Sequence, residues 1–128
     1  MQFWDGKYWL RSLWTIAILT VVAGELVPGN SLPMQAIGAT HINDKVLHFV
    51  AYLVLAWFPA WNESRSTSLW LCAGLVGMGI LLEIVQSFVG RSCEVLDATA
   101  NLAGVICGYV VSSRMAAGLG RVPGTSKA

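Results

Sequence analysis

The chain has 128 residues and a mass of 13.8 kDa, enough for one domain. Hydrophobic residues make up 55% and charged residues only 12%, against roughly 25% charged residues in soluble domains, so the composition excludes an ordinary soluble fold. A net charge of +1 provides no basic surface for nucleic acid, and we expect no nucleic-acid partner.

Four apolar segments approach the roughly 20 residues that a helix needs to cross the hydrocarbon core of a bilayer. The sequence predicts them at about 9–27, 45–61, 68–89 and 98–117. Because backbone polar groups cannot stay unpaired in hydrocarbon, each segment is predicted to be helical. We therefore expect an all-α membrane protein, a compact bundle of four transmembrane helices that forms one domain over residues 1–128.

The links between these segments differ in length. Residues 28–44 contain PGNSLP and are predicted to form the longest loop, whereas residues 62–67 are predicted to form a tight polar hairpin. Lys7 and Arg11 precede the first segment, as cations do in a signal peptide. The apolar stretch is long and no small-residue cleavage site follows it, so we expect this segment to be retained.

Positive charges predict the orientation of the bundle. One end would carry most of them, namely Lys7, Arg11, Arg65, Arg114, Arg121 and Lys127. The other end would carry Lys45 and Arg91 alone. Because the more cationic end stays in the cytoplasm, both termini are predicted to be cytoplasmic. The same interface would then hold five indole rings, those of Trp4, Trp9, Trp57, Trp61 and Trp70.

Three of the predicted spans carry polar side chains that are costly inside a membrane. An ionisable side chain that faces lipid near the bilayer centre costs about 2.5 to 3.5 kcal/mol on insertion scales, so such groups should face one another or water. The residues concerned are Lys45, His48, Tyr52, Glu83, Gln86, Asp97 and Asn101. At 100° per residue, the members on each helix share one stripe.

These three stripes are predicted to meet at the outer surface. With cytoplasmic termini, the second span begins there, the third ends there and the fourth begins there. Arg91 and Glu94, in the link between the third and fourth spans, would cap the resulting site, and Glu25 could join it from the first span. Asp44 is interpreted as a helix cap.

Small residues accompany the stripes. Gly104 and Gly108 form a GxxxG pair, and Ala73 and Gly77 form a second pair of the same spacing. Such pairs let helix backbones approach closely in a membrane, so both are predicted to pack against other helices of the bundle.

The sequence predicts neither a metal site nor a cofactor. His48, Glu83 and Asp97 offer ligand atoms, but they lack an HExxH-type spacing. The three cysteines contain no CxxC pair and do not form an even set, so cysteine chemistry is not expected.

Three separated blocks carry a resemblance to a known family. They are NDKVLHFVAY at residues 43–52, EIVQSFVGR at residues 83–91, and Asp97 followed by ANLAG at residues 100–104. In their order they resemble the VanZ-like family of small bacterial membrane proteins, with its D-K-x-x-H-F-x-x-Y, E-x-x-Q and D-x-x-x-N-x-x-G blocks. The similarity covers about residues 43–111.

This resemblance implies a multi-pass protein of the bacterial inner membrane. The founding member of the family is linked to low-level resistance to the glycopeptide teicoplanin, and no accepted enzymatic activity comes with membership. The motif positions give the candidate ligand-binding residues Lys45, His48, Tyr52, Glu83, Gln86, Arg91, Asp97 and Asn101. Residues 92–96 depart from the family's usual short acidic link.

Three functional hypotheses remain open. In the first, Lys45 and Arg91 bind an anionic envelope lipid, a lipid-linked cell-wall precursor or a glycopeptide, and the chain contributes to glycopeptide tolerance or envelope homeostasis. In the second, it is an accessory subunit of a larger membrane complex or a homo-oligomer, with polar side chains that only join helices. In the third, it is an enzyme in which the catalytic acid or base is His48, Glu83 or Asp97.

Overall fold

Long apolar segments in this chain form long helices. The structure is a computed structural model that describes residues 6–120, and no β-strand occurs in that range. The helices are α1 Gly6–Glu25, α2 Leu32–Ala39, α3 Asp44–Asn62, α4 Arg65–Gln86 and α5 Val95–Gly118, with a 3₁₀ turn at Ser87–Val89. The prediction of an all-α protein is confirmed. Trp4, Arg121 and Lys127, which entered the orientation argument, lie outside the described residues.

The links between helices differ in part from the predicted ones. Residues 28–44 are not one loop, because α2 forms within them after Ser31, with Pro33 in its first turn, where a missing N–H costs nothing. The predicted hairpin is even tighter than expected, since only residues 63 and 64 separate α3 from α4. The Ser64 hydroxyl caps α4 by accepting a hydrogen bond from the Thr67 N–H at 3.2 Å.

The helix cap of α3 is Asn43. Its side-chain oxygen accepts a hydrogen bond from the Lys45 N–H at 2.9 Å, and its backbone is extended, as capping requires. The interpretation of Asp44 as the cap is therefore wrong by one residue. Asp44 is the first helical residue, so its carboxylate is free to contact other elements.

Two glycines let α3 and α5 pack backbone to backbone. A Cβ atom at Gly104 would overlap the Phe49 carbonyl oxygen, and one at Gly108 would overlap the Leu53 carbonyl oxygen. The predicted GxxxG contact is thus confirmed. A second tie joins the same helices, because the Ser112 hydroxyl donates to the Trp57 carbonyl oxygen at 3.0 Å.

The second small-residue pair does not pack inside the bundle. Ala73 and Gly77 are both exposed, and a Cβ atom added at Gly77 would meet nothing within 4 Å. α4 instead turns Cys72, Leu75 and Gly79 inward, which leaves Ala73 and Gly77 on its outer surface. The prediction for this pair is wrong for the chain's own bundle.

α1 is held against α3 by an aromatic anchor. The Trp14 indole N–H donates to the Leu55 carbonyl oxygen at 2.7 Å, and the ring stacks on Phe58 with centroids 5.4 Å apart. Nearer the start of α1, the Arg11 guanidinium binds both carboxylate oxygens of Glu63, at 2.9 and 3.0 Å. These contacts orient α1 so that its last residue reaches the opposite end of the bundle.

Apolar side chains cover the outside of all four long helices. The exposed ones include Leu13, Ile16, Leu19, Val46, Val50, Val54, Leu81, Ile84, Leu102 and Ile106. Two of these elements are long and apolar enough to cross a membrane, namely α4 with its 3₁₀ turn (Arg65–Val89) and α5 (Val95–Gly118). α1 and α3 have 20 and 19 residues and are not among the helices that meet this criterion.

Candidate functional site at one end of the bundle

Polar side chains from four helices and one link meet at a single end of the bundle. We call this set the polar cluster; it consists of Glu25, Asp44, Lys45, His48, Tyr52, Glu83, Gln86, Arg91, Glu94, Asp97 and Asn101. The end of α1, the start of α3, the end of α4 and the start of α5 lie side by side here because each long helix runs antiparallel to the long helix that precedes it in the chain. The structure thus brings all eight sequence-predicted site residues together, along with Glu25, Asp44 and Glu94.

His48 lies at the centre of the polar cluster. It is 5% exposed, and its Nδ1 atom lies 3.0 Å from the Asn101 Oδ1 atom and 3.6 Å from the Glu25 Oε1 atom. Both neighbours of Nδ1 are acceptors, an arrangement that favours the tautomer with its proton on Nδ1. On the other side of the ring, Nε2 lies 3.7 Å from the Asp44 Oδ2 atom.

Lys45 bridges two acidic side chains at the start of α5. Its Nζ atom lies 2.7 Å from a Glu94 carboxylate oxygen and 3.3 Å from the Asp97 Oδ1 atom. The ammonium group holds the pKa of the exposed Glu94 carboxyl below its usual value. Asp97 is buried, at 4% exposure, so Lys45 provides it with a counter-charge inside the protein.

Arg91 closes the polar cluster against α1. Its guanidinium donates to the Asp44 Oδ2 atom at 3.3 Å and to the Glu25 carbonyl oxygen at 3.2 Å. The buried Gln86 amide donates to the same carbonyl at 2.9 Å, so two side chains satisfy the last backbone acceptor of α1. Gly90 makes this possible, because its φ of 77° reverses the chain after α4 at a cost that only glycine avoids.

The floor of the polar cluster is formed by Tyr52, Glu83 and Asn101. A Cβ atom at Gly79 would lie only 3.1 to 3.2 Å from Tyr52 and Asn101, so a glycine is needed for their approach. One Glu83 oxygen accepts a hydrogen bond from the Glu94 N–H at 3.3 Å, while the other is buried without any.

Two cavities open at the polar cluster. The first, about 220 Å³, is polar and is lined by Gly29, Asp44, Gly90, Arg91, Ser92, Glu94 and Asp97. The second, about 180 Å³, lies between α1, α2 and α3 and is mostly apolar; its walls include Val21, Met34, Ile37, Leu47 and Ala51. Asp44 and Arg91 line both cavities, so the polar and apolar spaces adjoin.

A comparison with protein families places the chain in a known family. The family model described as VanZ/LLP1 matches residues 6–116, which is most of the chain. The chain belongs to the VanZ/LLP1 family. No curated protein and no solved structure gave a match. The resemblance found in three sequence blocks is thus confirmed, and family membership together with the two apolar helices indicates a membrane protein.

The VanZ/LLP1 motifs do not include every member of the polar cluster. Glu25 lies outside the three blocks and was predicted only as a residue that could join the site, whereas Asp44 begins the D-K-x-x-H-F-x-x-Y block but was interpreted as a helix cap. A signal for both exists in the sequence, since a carboxylate at the outer end of an apolar helix is costly unless it has a partner. The ligand-binding role of the eight motif residues stays a prediction.

Proposed function

We propose that this VanZ-family protein crosses the bacterial inner membrane four times, with both termini in the cytoplasm, and binds the anionic headgroup of an envelope lipid at its outer end. The observation that carries this proposal is the pair of adjoining cavities. Arg91 lines a polar space of about 220 Å³ and an apolar space of about 180 Å³, as an amphiphilic ligand requires.

Charge and surface support the proposed topology. The described cations Lys7, Arg11, Arg65 and Arg114 lie at the end opposite the polar cluster, and the positive-inside rule assigns that end to the cytoplasm. A helix of 19 or 20 residues is about 30 Å long, so α1 and α3 also match the hydrocarbon thickness. Their exposed apolar side chains favour contact with lipid over water.

The cations of the polar cluster can exchange their present partners for a ligand. Glu94, which holds Lys45, is 45% exposed at its side chain, and an exposed ion pair contributes little to stability. An incoming phosphate or carboxylate can therefore replace Glu94 at Lys45. Arg91 presents a planar fork of donors, which suits two oxygens of one oxyanion.

The apolar cavity favours a lipid over a free anion. Met34 and Ile37 of α2, together with Val21 of α1, form walls that offer an acyl or polyprenyl chain a place beside the headgroup. Inorganic phosphate would leave this cavity unused. The binding energy of a lipid would come from both spaces, and the physiological role that we propose is in envelope homeostasis, including tolerance of glycopeptides.

A lipid-retention experiment tests the proposed ligand. We expect protein purified in mild detergent to retain phosphatidylglycerol or a polyprenyl phosphate in native mass spectrometry, and to melt at higher temperature with either lipid than with phosphatidylcholine. Lys45→Met and Arg91→Lys should each lower retention several-fold, because the first removes the ammonium group beside Glu94 and Asp97 and the second removes the guanidinium fork that lines the polar cavity. Arg65→Gln is the matched control, since Arg65 lies at the cytoplasmic end and should leave retention unchanged.

Two results would contradict this proposal. One is a protein that keeps no anionic lipid and shows no thermal shift with any of them. The other is an equal loss of retention in Arg91→Lys and in Arg65→Gln, which would indicate nonspecific attraction to negative charge.

Native cysteines test the topology. Cys93 is exposed in the link before α5, whereas Cys107 lies in the middle of α5 and Cys72 is buried. In intact spheroplasts, a membrane-impermeant maleimide should label the wild-type protein but not a Cys93→Ala variant. Labelling of Cys93 only after the cells are opened would show that the polar cluster faces the cytoplasm and would contradict the proposed orientation.

A further inference from the structure

The polar cluster contains more acidic than basic groups. Five carboxylates lie in it, at Glu25, Asp44, Glu83, Glu94 and Asp97, against the two permanent cations Lys45 and Arg91. The cluster thus holds three more carboxyl groups than permanent cations, which is five against two. Three of the carboxylates are at most 7% exposed, so water cannot compensate for this excess.

One ring nitrogen of His48 lies beside a carboxylate oxygen. Its Nδ1 atom is next to the acceptors of Asn101 and Glu25, which leaves Nε2 as the nitrogen that can bind a metal ion. Nε2 lies 3.7 Å from the Asp44 Oδ2 atom, to which Arg91 also donates at 3.3 Å. A metal ion between Nε2 and Asp44 would bind a nitrogen and an oxygen at once.

The dimensions of the gap fit a metal ion. The ligand atoms of Asp44, His48 and Asp97 all lie within 4.8 Å of one another. Zn²⁺ binds nitrogen and oxygen at about 2.0–2.2 Å, which places neighbouring ligand atoms about 3.0–3.5 Å apart. Small side-chain movements would thus bring the three ligand atoms to bonding distance of one ion. Each carboxylate would still have lone pairs to accept hydrogen bonds from Arg91 or Lys45.

Two buried acidic side chains add to this geometry. The Asp97 Oδ1 atom is buried without a hydrogen bond among the described residues, and Lys45 approaches it only at 3.3 Å. Glu25 is 7% exposed and has Tyr52 as a neighbour, and its Oε1 atom lies 3.6 Å from His48, so this carboxyl group belongs to the same set. Burying acidic groups together is costly, and a divalent cation between them would lower that cost.

We propose that Asp44, His48 and Asp97 bind one divalent first-row transition-metal ion, such as Zn²⁺ or Mn²⁺. One imidazole and two carboxylates favour these ions over Mg²⁺ and Ca²⁺, which prefer oxygen ligands alone. Asn101 holds the ring orientation through Nδ1, as partners of metal-binding histidines commonly do.

The ion would also take part in binding the headgroup. Asp44 and Asp97 both line the polar cavity, so an ion between them would present its open coordination positions to a phosphate or carboxylate there. This role depends on the proposed lipid-binding function, whereas the ion site itself does not. The ion would add positive charge beside Arg91, which lines the same cavity.

Metal titration of the lipid-free protein tests the site. After treatment with EDTA, the full chain in detergent should bind one equivalent of Mn²⁺ in electron paramagnetic resonance and one of Zn²⁺ in calorimetry, and should melt at higher temperature with either. Bound Mn²⁺ should show coupling to an imidazole nitrogen. Asp44→Asn should weaken Mn²⁺ binding at least about tenfold, a loss typical of even indirect metal contacts.

Two further variants make the outcome specific. His48→Gln should remove the nitrogen coupling. His48 is buried, so this variant could fail to fold. Asp44→Asn then remains informative, because the Asp44 side chain is 44% exposed and its replacement disturbs the fold less. Glu63→Gln is the matched control; it removes a carboxylate at the opposite end of the bundle, where Glu63 binds Arg11, and it should bind Mn²⁺ as the wild type does.

Several results would overturn the metal site: no stoichiometric binding of either ion, an unchanged affinity in Asp44→Asn, or an equal loss in Glu63→Gln. The metal titration contains no lipid, and lipid retention can be repeated with EDTA present. Retention without any metal binding would therefore overturn this inference alone, and metal binding without retention would overturn the lipid-binding function alone.

Discussion

Replacing Gly108 with alanine should prevent α3 and α5 from reaching their native contact. The new methyl group would overlap the Leu53 carbonyl oxygen, which belongs to helical backbone and cannot rotate away as a side chain could. Overpacking of a core typically costs about 1–3 kcal/mol, and we expect this variant at the upper end of that range or beyond it. The measurement is the free energy of unfolding in detergent, with the yield of monodisperse protein as a second readout.

Gly77→Ala is the control for this prediction. It makes the same chemical change in the interior of a long helix, but the new methyl group would meet nothing within 4 Å. Because alanine favours a helix over glycine by about 0.5–1 kcal/mol, Gly77→Ala should be neutral or stabilising. Equal stability of the two variants would show that α3 and α5 do not approach as closely as described here.

The two small-residue pairs show which part of helix packing a spacing pattern predicts and which part it does not. Both pairs have the same spacing in the sequence, yet only Gly104 and Gly108 lie against another helix. The spacing specifies that two small residues share a helix face. It does not specify whether that face meets a neighbour, because this depends on how α4 rotates about its axis, and the buried residues Leu75 and Gly79 determine that rotation.

The polar cluster was largely predictable because polar side chains are unfavourable in free energy within apolar segments. His48 and Asn101 lie in apolar segments, where a polar side chain must find a partner, and the antiparallel order of the spans left one end available. What could not be predicted was the pairing. Asp44 lies next to Asn43, and two neighbouring residues that can both cap a helix give no signal as to which one does.

α2 was missed although the sequence contains a signal for it. Ser31 followed by Pro33 has the pattern of a helix start, with a residue that often caps and a proline in the first turn. The PGNS segment before it is typical of a loop, and one loop was therefore predicted over residues 28–44. The omission matters for function, because Met34 and Ile37 of α2 form part of the apolar cavity.

Replacing Trp14 with alanine should detach α1 from α3. The change removes both the indole hydrogen bond to the Leu55 carbonyl oxygen and the stack on Phe58. Trp14 is only half-buried, so we expect a loss of about 2 kcal/mol in the free energy of unfolding, roughly half the cost of truncating a fully buried tryptophan. α1 also carries Glu25 and a wall of the apolar cavity, so lipid retention should fall in parallel.

Two other tryptophan variants make this result specific. Trp14→Phe keeps a ring for Phe58 to stack on and loses only the hydrogen bond, so it should cost about 1 kcal/mol. Trp70→Ala removes an indole that is 77% exposed on α4, and it should leave both stability and lipid retention unchanged. If Trp14→Ala were as stable as Trp70→Ala, α1 would not depend on this anchor, and the position of Glu25 in the polar cluster would need another explanation. The tie from Gln86 and Arg91 to the Glu25 carbonyl oxygen would then be the contact to remove next.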